Sequence, residues 1–117
     1  SYDMQLNEVL DLLIQHKLPF RESRRPIPNS AKSITAIDQI VLITPLFNLI
    51  FMFEYENQEG LEMERKELHK KFKRNYFDGE VVEIITNNIY IVTSKHKGEI
   101  ESDLEKRLKD IFSPSHK

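Results

Sequence analysis

The sequence predicts an α+β fold: a two-layer sandwich in which an antiparallel sheet of four to five strands packs against helices, in the order α-β-β-β-α-β-β-α. Three observations predict it. A strand, a polar turn and an amphipathic helix occur twice, at 48–72 and 88–112. The two units share an offset of 40 residues at Asn48/Asn88, Glu59/Glu99, Lys66/Lys106, Leu68/Leu108 and Phe72/Phe112. A β-branched run, Ile40-Val41-Leu42-Ile43, precedes the first unit. An apolar stripe of helical spacing opens the chain. Two unrelated strand–turn–helix units can share as many identities, so a common ancestor for the pair stays open.

The opening helix is expected over 3–17. Leu6, Val9, Leu10, Leu13 and Ile14 form its stripe, Asp3 is its N-cap and Leu18-Pro19 its stop. A short edge strand fits Leu18–Ser23, since Pro19 is tolerable at an edge. The stretch 24–33 holds Pro26, Pro28, Asn29, Ser30 and Ser33 and reads as an irregular, exposed loop. Strands follow at Ile37–Thr44 and Phe47–Glu56. In the second, Phe51, Phe53 and Tyr55 alternate with Ile50 and Met52.

Asn57–Gly60 is a turn before a helix over Leu61–Arg74. Glutamates crowd its start and Lys70, Lys71, Lys73 and Arg74 its end, as the helix dipole favours. Glu62/Lys66 and Glu67/Lys71 have the spacing of helical ion pairs. Strands at Glu80–Thr86 and Asn88–Ser94 flank Asn87-Asn88, a tight turn because asparagine tolerates positive φ. The final helix, Glu99–Phe112, presents Ile100, Leu104, Leu108, Ile111 and Phe112, and Ser113-Pro114 stops it. With both long helices on one face, a sheet apolar on both sides needs a second cover. The first helix with the 24–33 loop, or another protein, would supply it.

A length of 117 residues suits one domain, 1–117, large enough to bury its own core. The net charge of −2 creates no global field toward nucleic acid. The absence of cysteine removes disulfides, thiolate chemistry and cysteine-held zinc. The longest apolar stretch, Ile40–Phe53, is broken by Thr44, Pro45 and Asn48 and falls short of a membrane span. Ser1-Tyr2-Asp3 precede Met4. An initiator at Met4 implies a cytoplasmic protein; a leader upstream implies an exported or lipid-anchored one.

No catalytic, cofactor or metal motif stands out. His16, His69, His96 and His116 lack metal-ligand spacing and read as solvated, and Glu67-Leu68-His69 lacks the second histidine of a zinc helix. Gly60, Gly79 and Gly98 sit in turns rather than in a phosphate loop. Asp38 and Glu83 could be buried carboxylates, although Glu83 alternates with Val82 and Ile84 and can simply face solvent at an edge. A small-molecule carrier or enzyme would have to use Tyr55, Tyr90, Glu83 and Arg21 around a pocket. Basic residues beside Tyr76 and Phe77 could grip single-stranded nucleic acid, or slightly more readily an anionic lipid or wall polymer, but the acidic half of the same helix balances them and cations are favoured at a helix end anyway, so a solvated helix end is the stronger reading. For an interaction site the residues of choice are Phe20, Arg21, Arg24 and Arg25, because exposed irregular segments carry binding more often than helices do.

The strand Asn48-Leu49-Ile50-Phe51-Met52-Phe53-Glu54-Tyr55, the charged helix Glu62-Met63-Glu64-Arg65-Lys66-Glu67 and the pair Glu80–Ile85 and Asn88–Val92 with a closing helix form one pattern. Over residues 4–112 it resembles a group of small lipoproteins of unknown function from Bacillus and its relatives. The lipid-bearing cysteine of that group is absent from this sequence. The resemblance implies an extracytoplasmic domain, anchored to the bacterial membrane only through a segment upstream, and supplies no catalytic residues.

Three functions follow as expectations. The first is a non-enzymatic, membrane-tethered domain of the cell envelope that acts by contact with a protein partner. The second is a cytoplasmic homodimeric adaptor resembling type III secretion chaperones in element order. The third is a small-molecule carrier or enzyme.

Overall fold

Leu6, Val9 and Leu13 are buried on one side of helix α1, Leu6–Gln15, in the computed structural model, which describes residues 3–112. The helix starts later than Asp3 because tertiary partners set its entry. Asn88 holds Met4 by two hydrogen bonds, and Glu54 accepts the Leu6 amide at 2.9 Å. Glu8 accepts the Gln5 amide at 2.8 Å, half of a capping box. The helix ends in a Schellman motif: Leu18 N–H bonds Leu13 O, Lys17 N–H bonds Ile14 O, and Lys17 takes φ 58. Ile14, expected in the stripe, is 62% exposed.

Strand β1 is Arg21–Glu22, β2 Asp38–Ile43, β3 Leu49–Glu54, β4 Glu80–Thr86 and β5 Ile89–Lys95. They form one antiparallel sheet in the order β1-β2-β3-β5-β4. Helix α2 is Gln58–Lys71, capped by the Asn57 carboxamide on Gly60 N–H at 2.8 Å, so it begins before Leu61. Helix α3 is Asp103–Phe112. The α+β class and the order α-β-β-β-α-β-β-α are those the sequence predicts.

The expectation of both long helices on one face does not hold. Leu6, Val9 and Leu13 of α1 with Leu108 and Phe112 of α3 cover Leu42, Ile50, Met52, Ile84 and Ile91. Leu61 and Leu68 of α2, with Phe72, cover Val41, Phe51, Phe53, Tyr90 and Val92 on the opposite face. There are therefore three layers rather than two. The ladder gives the reason. Phe51 pairs with Val92 and Met52 with Ile91, so odd positions of β3 share a face with even positions of β5. An offset of 40 preserves parity, so residues related by it point to opposite faces and carry their helices with them. Both faces are covered from within the chain; the 24–33 segment helps α2 through Ile27 and Ala31, and α1 sides with α3.

Two further helix ends differ from expectation. α3 begins at Asp103 rather than Glu99, because Ser102 Oγ accepts the Glu105 amide and the preceding residues turn through Gly98 at φ 85. Ile100 is consequently 93% exposed. α2 is continued by a π-helical turn, Phe72–Tyr76, in which Phe77 N–H bonds Phe72 O at 2.8 Å. That wider turn gathers Phe72, Tyr76 and Phe77 around Phe51, with ring centroids 4.9, 5.2 and 5.9 Å from it. The surface ion pairs also shift: Glu62 meets Arg65 and Glu67 meets Lys70, in place of Lys66 and Lys71. No helix among the described residues is long and apolar enough to cross a membrane. Ser113-Pro114 and His116 lie outside the described residues.

Candidate functional site

The 24–33 segment is pinned rather than loose. Ser23 N–H bonds Val41 O at 2.8 Å, and Ser23 Oγ accepts the Arg25 amide at 3.3 Å. Pro28 O accepts the Ala31 amide at 2.9 Å, and Ala31 is fully buried. The Gln39 carboxamide both accepts from and donates to the Ser33 backbone, imitating a further rung of the ladder. Between these anchors Arg21, Arg24 and Arg25 rim a groove of about 560 Å³ whose lining includes Val41, Ile43, Leu49 and Tyr76. Among the described residues no acidic side chain lines it, and no ion pair engages any of the three arginines. All three are exposed. The fourth expected interaction residue, Phe20, is not with them: it packs into the core under α1 and α3.

Beside the groove stands the β2–β3 hairpin tip. Ile43 and Leu49 close the ladder and line the groove. Thr44 O accepts the Phe47 amide at 2.8 Å, Thr44 Oγ1 accepts the Asn48 amide at 3.0 Å, and Pro45 holds the second turn position that proline favours. Phe47 is forced to φ 66, a left-handed conformation that costs a phenylalanine about 1 kcal/mol. Phe47 is 79% and Leu46 83% exposed, so packing does not repay that strain.

An open cleft of about 720 Å³ lies on the other side of the tip. Leu18, Leu46, Tyr76 and Leu104 share its lining with His96, Asp103 and Arg107. Two of its cations are occupied. Arg107 donates to the carbonyls of His16 and Lys17, and Lys95 donates to Glu105 at 3.1 Å and to Ile100 O at 2.8 Å.

Of the residues proposed for a carrier or enzyme, Tyr90 and Glu83 come together, whereas Tyr55 and Arg21 lie apart from them. Glu83 accepts from the Tyr90 hydroxyl and from Arg65 at 3.2 Å, and His69 Nδ1 lies 2.9 Å from the same carboxylate. Tyr55 donates to Glu64 at 2.6 Å, and Ser33 Oγ and the Ile34 amide bond the same carboxylate. Burial and the hydrogen bond to glutamate push both tyrosine hydroxyls far above their ordinary range. Burial pushes the Glu64 carboxyl up, but its bonds from Ser33, Tyr55 and Ile34 outweigh that and hold it below 4.5. Every buried side-chain polar atom among the described residues has a partner. Neither cavity includes Tyr55, Tyr90 or Glu83 in its lining. The two clusters strap α2, whose apolar stripe is narrow, to the sheet and to the 24–33 segment.

Sequence reasoning missed Ser33, Glu64, Arg65 and His69. A signal was present for two: Leu61, Glu64, Arg65 and Leu68 follow the i, i+3, i+4, i+7 rule, so two charged residues occupy inward positions of α2. His69, read as solvated, instead sets its Nδ1 2.9 Å from the Glu83 carboxylate. Comparison with protein-family models, characterised proteins and solved structures finds no match to this chain.

Proposed function

We propose that this chain is a non-enzymatic protein-interaction domain of the bacterial cell envelope, and that it meets its partner with the end of the sheet that carries the arginine groove and the Leu46-Phe47 tip. The observation that carries the reading is the groove itself: three exposed arginines, none of them ion-paired among the described residues, around aliphatic side chains, in a chain whose net charge is negative. The rigid segment beneath them lowers the entropy lost when a partner docks. The strained, exposed Phe47 supports the same end of the molecule, since strain without internal return marks functional segments.

The envelope assignment rests on the lipoprotein resemblance, and the geometry is compatible with it. Met4 is held by Asn88, at the far end of the sheet from the hairpin tip. A tether entering at Met4 would leave the groove pointing away from the anchor.

The homodimeric adaptor, which needs an apolar sheet face or helix to bury in a dimer, draws less support, because both faces of this sheet are covered by the chain's own elements. The carrier or enzyme draws on the cleft, whose Arg107 and Lys95 are engaged with backbone carbonyls and with Glu105.

Photocrosslinking in cells tests the reading. A crosslinker at position 24 or 47 is expected to give a discrete adduct with another protein in the envelope fraction, and one at position 59, on the first turn of α2, none. Adducts of twice the chain mass would favour the homodimer. No adduct from 24 or 47, or a cytoplasmic product, would overturn the proposal.

A further inference from the structure

We infer that the groove between β1 and the hairpin takes an acidic, extended peptide segment with an apolar side chain at its centre. The inference rests on the interaction reading above and names the partner's chemistry.

Charge is the first argument. Guanidinium groups match carboxylates with two parallel hydrogen bonds, and Arg21, Arg24 and Arg25 have no carboxylate in the groove to engage. Glu22, the nearest acid in sequence, stands on the opposite face of β1, since strand neighbours alternate. A low-dielectric wall beneath like charges concentrates their field on whatever enters.

The floor is the second argument. Ile43 and Leu49, paired across the hairpin, are half-buried aliphatics that line the groove together with Tyr76. A phosphate polymer has nothing to place there. A peptide with acidic residues flanking a phenylalanine or leucine satisfies both rim and floor. The volume of about 560 Å³ is within the range that holds such a group.

The sheet edge is the third. Ser23 N–H is directed inward to Val41 O, and Arg21 shares that parity, so the N–H and C=O of Glu22 are directed outward. An extended segment beside β1 finds two backbone partners there, in the manner of strand addition.

Fluorescence anisotropy with the whole chain tests this. The probe is a short labelled peptide with Glu and Asp on both sides of a central Phe. It is expected to bind, with affinity falling as salt rises. Replacing its Phe by Ser, or introducing Arg24→Glu with Arg25→Glu, is expected to cost about tenfold or more. The charge-reversed variant is expected to recover binding to a Lys-for-acid version of the peptide. Both arginines are exposed, and unchanged thermal melting verifies that the variant is folded. Indifference to the Phe-to-Ser change overturns the inference, as does equal or tighter binding of inorganic polyphosphate or phosphatidylglycerol vesicles. Crosslinks from position 24 without peptide binding would sink the peptide assignment alone, and absence of crosslinks would sink the interaction reading.

Discussion

Tyr90 on β5 donates its hydroxyl to Glu83 on β4, and Arg65 and His69 of α2 close on the same carboxylate. A glutamate that reads as an edge residue thereby becomes the joint between a hairpin and a helix. Low local dielectric strengthens such a network once every member is satisfied.

Tyr90→Phe removes one donor from this joint and leaves the packing. It is expected to lower stability by about 1.5–3 kcal/mol, the range for a hydrogen bond to a charged group. Urea unfolding followed by circular dichroism measures it. The slope with denaturant should stay constant, because the surface exposed on unfolding does not change. A loss within experimental error would mean that Arg65 and His69 alone hold Glu83.

Stability should form a plateau in pH with a limb on each side. Burial raises the Glu64 and Glu105 carboxyls, but hydrogen bonds outweigh it, from Ser33 and Tyr55 to the first and from Lys109 and Lys95 to the second. Both therefore titrate below 4.5 in the folded state. Their contribution is fully present above that value and is lost as pH falls through the depressed folded value. Tyr55 and Tyr90 lie above the ordinary 10.0 through burial and their glutamate partners, so their contribution is complete below 10.0 and is lost as pH rises beyond it. Melting temperature against pH should show both limbs. Glu64→Gln should flatten the acid limb, and Tyr55→Phe with Tyr90→Phe the alkaline one.

Phe47→Asn tests the strain at the hairpin tip. Asparagine accepts the left-handed conformation with little strain, and the phenylalanine ring is exposed, so little packing is lost. The variant is expected to be more stable by about 0.5–1 kcal/mol in denaturant unfolding. On the interaction reading it should also bind its partner less well. Gain of stability with loss of binding would be the trade expected of a functional residue. Destabilisation would show that Phe47 has a structural role after all.

The glycines separate in a similar test. A Cβ at Gly79 would lie 2.0 Å from the Lys95 carbonyl oxygen, a backbone atom, so Gly79→Ala is expected to cost about 3 kcal/mol or to open the start of β4. A Cβ at Gly60 meets only the Asn57 carboxamide, at an ordinary 3.5 Å. Gly60→Ala should therefore stabilise by about 0.5–1 kcal/mol through helix propensity. Thermal melts of the two variants should shift in opposite directions.

Local periodicity was legible. The alternation through Phe51, Met52 and Phe53 and the stripe of Leu61 and Leu68 express interactions within a few residues, so they specified the strands, the helices, their order and the Asn87-Asn88 turn, where Asn87 takes φ 52. Arg21, Arg24 and Arg25 were legible as an exposed basic group for the same reason. The side of the sheet taken by each helix was not, because it depends on the pairing register of β3 with β5, a relation between segments 40 residues apart. The helix starts at Leu6 and Asp103 were likewise settled by Glu54, Asn88 and Ser102, through bonds that no propensity contains. Nor could composition place Glu64 under Tyr55, or Glu83 under Tyr90, since a carboxylate is buried only where folding brings donors enough to replace its water.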